Sequence, residues 1–203
     1  MRDRLILMRH GQTAWNAEGR FTTRSDVPLD KTGLAQAQAG AQALAATEID
    51  RIYCSPLLRA RSTAEAVAAA RPRPLAVVPD PRLTEIDSGP FEGLTVPEIE
   101  AGPLAQAFAA WHTDGNPVFP EGAETFDHAL RRIAGFLNEH QDEPGTTLVV
   151  THGSLARLAV TTWLLGAEPG RHRRLWLDNC RVAVVDSGRG APQLVAFNVA
   201  APT

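Results

Sequence analysis

Two short motifs carry reactive side chains at the ends of apolar runs. Arg9-His10-Gly11 follows the run Leu5–Met8, and Thr151-His152-Gly153 follows Leu148–Val150. Two further strand-like stretches end in polar groups. Ser55 and then Arg59 follow IDRIYC (49–54), and Glu85 comes shortly after PLAVVPD (74–80). A single histidine at a strand end is most often structural, and a single arginine is usually a surface residue. Two histidines, two arginines and a glutamate that all follow strand ends carry more weight, because open α/β sheets place their sites beyond the carboxyl ends of the strands. Arginine offers a forked set of donors that suits phosphate or carboxylate. Histidine with an ordinary pKa of about 6.5 is largely neutral near pH 7 and can act as a nucleophile. Glutamate can carry a proton, and glycine after each histidine permits close backbone approach. The backbone N–H of Ser154, at a helix start, can face an anion. This equipment suits phosphoryl transfer through a phosphohistidine.

Two histidines and a carboxylate also form a familiar metal set. The neighbouring arginines would repel a cation, however, and no His-x-x-x-His or Cys pair supports a zinc site. Phosphate loops of the Gly-x-x-x-x-Gly-Lys type and dinucleotide fingerprints of the Gly-x-Gly-x-x-Gly type are missing from the sequence. A phosphate site with no metal and no cofactor is therefore expected.

The elements that must position these groups alternate along the chain. Strands are expected at 4–9, 49–55, 74–80, 146–153, 181–188 and 193–199. Helices are expected at 32–46, 59–70, 124–140 and 154–166, with shorter helical pieces at 96–101 and 103–112. Phe126, Leu130, Ile133, Phe136 and Leu137 form a helical stripe. Continuous apolar strands between helices predict an α/β fold, a three-layer α/β/α sandwich with a mainly parallel central sheet. At 203 residues the chain reads as one domain, 1–203, with a Gly/Pro/Asp-rich, lid-like insertion at about 86–122.

The bulk composition excludes several function classes. The chain is 44% hydrophobic and 21% charged, with a formal net charge of −3, so neither nucleic acid nor an anionic membrane is an expected partner. Lys31 is the only lysine. Cys54 and Cys180 sit in strand-like runs and read as buried apolar residues. The first apolar run is too short for a signal peptide, and no stretch has the length of a membrane span. The expected location is the cytoplasm.

The sequence resembles the histidine phosphatase superfamily, also called phosphoglycerate mutase-like, in its Arg-His-Gly branch. The resemblance rests on Met8-Arg9-His10-Gly11-Gln12-Thr13-Ala14-Trp15-Asn16 and on GRFTTRSDVPLDKTGLAQAQ (19–38). YCSPLLRARSTAEAV (53–67), LTEIDSGPFEGLT (83–95), FPEGAETFDHALRRI (119–133) and LVVTHGSLARLAV (148–160) follow in family order. The resemblance implies His10 as the phosphorylated nucleophile. It implies Arg9, Arg59 and His152 as a clamp on the phosphoryl oxygens, and Glu85 as proton donor and acceptor. Asn16 would add a donor, with Gly153 and Ser154 as minor candidates for the same cradle. Thr22 fits the family pattern, whereas Thr23 stands where relatives usually carry glycine. A homodimer is expected by analogy, because relatives are often dimers.

Cofactor-dependent mutases of this family carry Glu-Arg-x-Tyr in the acid block, a lysine further on, and a long arginine-bearing insertion. Here the block reads Glu85-Ile86-Asp87-Ser88, Val96 stands at the lysine position, and 97–122 contains no Arg or Lys. Hydrolysis of a small phosphorylated metabolite, with inorganic phosphate as product, is therefore the expected activity. A phosphomutase is the alternative within enzymes, and a catalytically silent phospho-ligand-binding relative is the alternative outside them. Phe21, Thr22, Ser88, Trp111 and His112 are candidates for the leaving-group pocket, although Phe108 and Trp111 also suit simple helix packing. Arg171-His172-Arg173-Arg174 is a candidate anion patch but reads first as a solvated loop face. Asn179 reads as a turn cap outside the site.

Overall fold

Strand β1 (Arg2–Arg9) is apolar on both faces because the sheet it belongs to is covered twice. Ile6 and Met8 point into one core and Leu5 and Leu7 into the other. The computed structural model describes residues 2–73, 75–113, 117–140, 143–186 and 191–200. The other strands are β2 (Arg51–Cys54), β3 (Val77–Pro79), β4 (Gly145–Thr151), β5 (Val182–Asp186) and β6 (Gln193–Val199). They join β1 in one six-stranded sheet with the order β3-β2-β4-β1-β5-β6. The first four of these run parallel, β5 is antiparallel to β1, and β6 is antiparallel to β5. The result is a mixed, mostly parallel sheet.

The short helix α1 (Ala14–Ala17) follows the first motif and carries a capping box between Thr13 and Asn16. Helices α2 (Lys31–Ala43) and α3 (Leu58–Ala69) cover one face through Ala37, Ala41, Ala60, Ala64 and Val67. In the segment expected as an insertion lie α4 (Val96–Glu100) and α5 (Ala105–Trp111). There Phe91, Ile99, Phe108 and Trp111 form a small apolar cluster of their own, with Phe21 packed against it. The other face of the sheet is covered by α6 (Phe126–His140) and α7 (Gly153–Leu158). Phe126, Ile133, Phe136 and Leu137 of the expected stripe are buried there, and Leu130 packs against them half-buried.

The structure trims two expected elements. β3 spans only Val77–Pro79, and position 74 of the expected strand lies outside the described residues, as does the 187–190 turn between the last two strands. The expected helix 154–166 is α-helical only to Leu158 and then widens into a π-helical turn at Ala159–Leu164. Within it the Leu165 N–H reaches the Val160 carbonyl at 3.2 Å, five residues back, and Thr161 Oγ1 donates to the Arg157 carbonyl at 2.9 Å.

The loop after β1 passes so close to the start of α2 that two glycines face each other. A Cβ on Gly11 would stand 2.6 Å from the Gly33 carbonyl oxygen, and one on Gly33 would stand 2.0 Å from the Gln12 oxygen. Gly11 is therefore required by this backbone contact, which seats the whole motif against α2. Gly33→Ala is expected to cost about 1–3 kcal/mol as an overpacked contact. Its thermal midpoint should fall by roughly 2–4 °C per kcal/mol in a chain of this size. A thermal melt within 1 °C of the parent would show that the backbone contact is soft.

Candidate active site

The parallel strands β1, β2, β3 and β4 bring the expected groups to one edge of the sheet. His10 leaves β1, Ser55 leaves β2, Glu85 follows β3, and His152 caps α7 directly after β4. Arg59 reaches the same place from the first turn of α3. His10, Arg59, Glu85 and His152 are all buried, and Arg59 and His152 have no exposed surface. In front of them lies a cleft of about 440 Å³ whose lining includes Arg9, His10, Asn16, Thr22, Glu85, Gly153 and Ser154.

Hydrogen bonds fix the orientation of both imidazoles. His10 Nδ1 lies 2.6 Å from its neighbour's carbonyl, Gly11 O, which can only accept, so Nδ1 carries the proton and Nε2 has the lone pair. His152 Nε2 lies 2.8 Å from Ser55 Oγ, which in turn accepts the Leu57 N–H at 3.3 Å. Either atom of that pair can be the donor, and the other ring nitrogen, Nδ1, is buried and has no partner. The two rings meet edge-on, 5.0 Å between centroids. Burial pushes the pKa of each well below the usual histidine range, and the Arg59 and Arg9 guanidiniums push in the same direction. Both imidazoles are therefore neutral at pH 7.

Arg59 donates to three carbonyls, Ser25 O at 2.8 Å, Thr23 O at 3.0 Å and Thr22 O at 3.3 Å. Arg9 donates to Leu177 O at 2.7 Å. Each retains an Nε with no partner, and among the described residues neither forms an ion pair. The loop that holds Arg59 is itself held by Glu92, whose carboxylate accepts from Thr23 N and Ser25 N at 2.9 Å each and from the Thr23 hydroxyl. Burial alone would raise the Glu92 pKa, but these hydrogen bonds bring it below the usual range. Thr23 Oγ1 also accepts the Ser88 N–H at 3.3 Å, so the residue that departs from the family pattern ties the loop to the acid block.

Glu85 sits at the start of α7. Its carboxyl accepts from Ser154 N and Leu155 N at 3.0 Å each and from Ile86 N at 2.9 Å. The Ser154 N–H expected in the phosphate cradle is thus engaged by Glu85. Thr22 lines the cleft, while its hydroxyl donates to Arg20 O at 3.1 Å. Asn16 Oδ1 accepts from Thr13 N at 3.2 Å, which leaves the amide NH₂ as the end available to an anion.

Asn179, read from the sequence as a turn cap outside the site, donates instead to His10 O at 3.0 Å and lies 3.4 Å from Asn16 Oδ1. The direction of β5 explains this: antiparallel to β1, it begins at the edge where β1 ends. The 171–174 run also departs from expectation. It forms a 3₁₀ turn in which His172 is 2% exposed and packs edge-on to Phe126 at 4.7 Å. Both His172 and Arg173 line the cleft, and so do Phe21, Ser88, Trp111 and His112 from the expected leaving-group set.

Burial, followed by Arg157 and Arg173, pushes the His172 pKa down to about 3. The unfolded chain, with histidine at about 6.5, binds this proton where the folded chain does not. Stability is therefore lost as pH falls from about 6.5 toward about 3. Between about pH 4 and 5.5, His172→Phe should reduce the slope of unfolding free energy against pH by about 1.4 kcal/mol per pH unit. Urea unfolding at a series of pH values measures this, and parallel slopes for the two proteins would contradict it.

The histidine phosphatase superfamily (branch 1) matches residues 5–200. The chain is 33% identical to phosphoserine phosphatase 1 of Hydrogenobacter thermophilus, over 97% of this chain and 92% of that one. It is 37% identical to the Probable phosphoglycerate mutase GpmB of Cronobacter sakazakii, over 90% of this chain and 84% of the relative. The solved structure of the alpha-ribazole phosphatase from Shigella flexneri superposes with a TM-score of 0.86 at 27% identity, covering 98% of each chain. With its strand-end histidines, arginines and glutamate brought to one edge of the sheet, Arg59 and His152 buried behind the cleft that Arg9, His10 and Glu85 line, this chain belongs to the histidine phosphatase superfamily, branch 1.

Proposed function

We propose that the protein is a metal-independent phosphatase that hydrolyses a phosphomonoester through a phosphohistidine on His10. The observation that carries the reading is the state of His10. It is buried and neutral, its Nδ1 proton is engaged by Gly11 O, which leaves Nε2 as the lone-pair nitrogen, and the Arg59 and Arg9 guanidiniums that act on the ring form no ion pair among the described residues. In the first step a bond forms between Nε2 and phosphorus while the bond from phosphorus to the leaving oxygen breaks. Glu85 gives its proton to that oxygen. In the second step water attacks phosphorus, the P–N bond breaks, and Glu85 takes the proton from water. Arg9, Arg59, His152 and the Asn16 amide stabilise the phosphoryl oxygens as charge spreads over them. Gly153 and Ser154 complete the wall beside Glu85. Arg9 lies close to Gly153, where even a Cβ would meet Arg9 Nε at 3.4 Å, an ordinary contact.

The relatives include proteins named as phosphatases and as mutases. Hydrolysis is supported over isomerisation by the acid block and by 97–122, which offers no Arg or Lys to hold a phosphorylated acid for the return step.

The test is phosphate release from a panel of phosphomonoesters in the presence of EDTA. Turnover should persist in chelator, and acid quenching should trap a phosphorylated enzyme. His10→Ala should lose activity by at least about a thousandfold. Glu85→Gln should lose roughly 10²–10⁴-fold on alkyl esters and less on nitrophenyl phosphate, whose leaving group needs no proton. Loss of all turnover in EDTA would overturn the metal-free reading. Isomerisation of 3-phosphoglycerate without comparable phosphate release would favour the mutase, and saturable phosphate binding with no turnover on any ester would favour the silent relative.

A further inference from the structure

Glu85 stands on irregular backbone. Residues 84–88 lie between the 3₁₀ turns Pro81–Leu83 and Gly89–Phe91, outside helix and strand. The other strand-end groups inherit their places from regular elements. His10 and His152 directly follow β1 and β4, and Arg59 stands in the first turn of α3. A group that gives a proton to a leaving oxygen must lie within hydrogen-bond reach of it. A misplacement of about 1 Å can cost on the order of 10²-fold in rate. A segment without ladder or helix bonds does not supply such precision, so side chains must fix it.

Arg132 reaches this segment from α6. Its Nη1 donates to Arg82 O at 2.6 Å and its Nη2 to Glu85 O at 3.1 Å. Glu124 takes the other edge of the same guanidinium. Arg132 Nε donates to Glu124 Oε1 at 2.7 Å and Nη2 to Oε2 at 2.8 Å, a bidentate pair. The two side chains are only 12% and 5% exposed. Glu124 also grips the segment directly: Oε2 accepts the Asp87 N–H at 3.3 Å, and the Glu124 N–H donates to Asp87 O at 2.9 Å. Backbone groups of residues 82, 85 and 87 are thus bound to one buried ion pair. Burial alone would raise the Glu124 pKa, but the hydrogen bonds and charge of Arg132 bring it below the usual range. The planar fork of arginine suits this task, because its donors face carbonyls and carboxylate at once. From the opposite side Ser154 N and Leu155 N orient the Glu85 carboxyl. Arg132 holds the backbone from which that carboxyl starts.

We propose that Arg132, locked by Glu124, is the positioning residue of Glu85: through the Arg82 and Glu85 carbonyls it holds the acid block where the Glu85 carboxyl can protonate the leaving oxygen. Arg132 and Glu124 stand outside the cleft lining and act only through Glu85. The assignment rests on the phosphatase reading above.

The experiment compares kcat/KM for glycerol 2-phosphate, whose leaving oxygen needs a proton, with that for 4-nitrophenyl phosphate, whose leaving oxygen does not. Arg132→Gln should lower the first by about 10²-fold and the second much less, so that their ratio falls at least tenfold. In a Glu85→Gln background the same substitution should leave the ratio within about threefold, because the acid it positions is gone. Arg132→Lys, which keeps a charge beside Glu124 but lacks the fork, supplies the comparison should Arg132→Gln fail to fold. Equal losses on both esters, as general damage to the fold would give, would overturn the positioning role. So would a further tenfold fall of the ratio in the Glu85→Gln background. If the parent hydrolyses neither ester, or Glu85→Gln loses equally on both, the phosphatase reading falls instead. Hydrogen exchange of peptides covering 82–88 then decides the hold separately. Exchange at least tenfold faster in the Arg132 variant would support it, and unchanged exchange would overturn it.

Discussion

The burial of Arg59 without a carboxylate partner is the constraint around which this site is organised. A guanidinium with no exposed surface loses its hydration, and an unpaired buried charge is strongly destabilising. Here three carbonyl dipoles of residues 22–25 replace water, and Glu85 and Glu92 act on the charge from a distance. The carbonyls can do this only while the loop holds its shape, and Glu92 holds it by gathering the Thr23 and Ser25 N–H groups and the Thr23 hydroxyl. The segment that carries Glu92 therefore supports the proposed phosphate site through this loop. On the proposed reading, the phosphoryl dianion supplies the charge that the fold withholds, which is how a site can favour a bound anion over an empty state.

The same cations set the protonation of the imidazoles. Burial is the larger cause, but Arg59 and Arg9 both act against an imidazolium at His10 and at His152. A site with a permanent carboxylate against each arginine would lose this effect and would also compete with the substrate. Gly11 O then fixes the His10 proton on Nδ1. The close contact of Gly11 with Gly33 keeps that carbonyl in place by seating the loop on α2. A packing feature thus reaches the proposed nucleophile, His10, through one backbone oxygen.

The strand-end groups were legible because a parallel sheet turns sequence position into spatial position. Whatever follows an apolar run arrives at one edge, so Arg9, His10, Glu85 and His152 could be grouped from the sequence. The stripe of α6 was legible for the equivalent reason, its 3.6-residue period. Asn179 was not, because its place depends on the direction of β5, and an apolar run reads the same in either direction. His172 and Arg173 were hidden by their composition. A run of basic residues looks like solvent-facing chain, and only the tertiary contacts with Trp111 and Phe126 reveal that the turn faces inward. The Ser154 N–H was read toward phosphate because the sequence does not show that Glu85 reaches it first.

This division has a consequence for how the fold acquires selectivity. The strand-end cluster that the proposal assigns to the phosphoryl group is fixed by a sheet packed between two cores. The opposite wall rests on a small separate cluster, Phe91, Ile99, Phe108 and Trp111, clasped to the 171–174 turn by Arg173. That wall can change its shape and its donors without moving β1 or β4. Relatives of one fold that carry the names of different phosphorylated metabolites fit such a scheme, since a shared phosphoryl group cannot discriminate among them. Discrimination must then come from contacts to the leaving group, for which this chain offers cleft residues outside the strand ends, among them Phe21, Trp111, His172 and Arg173.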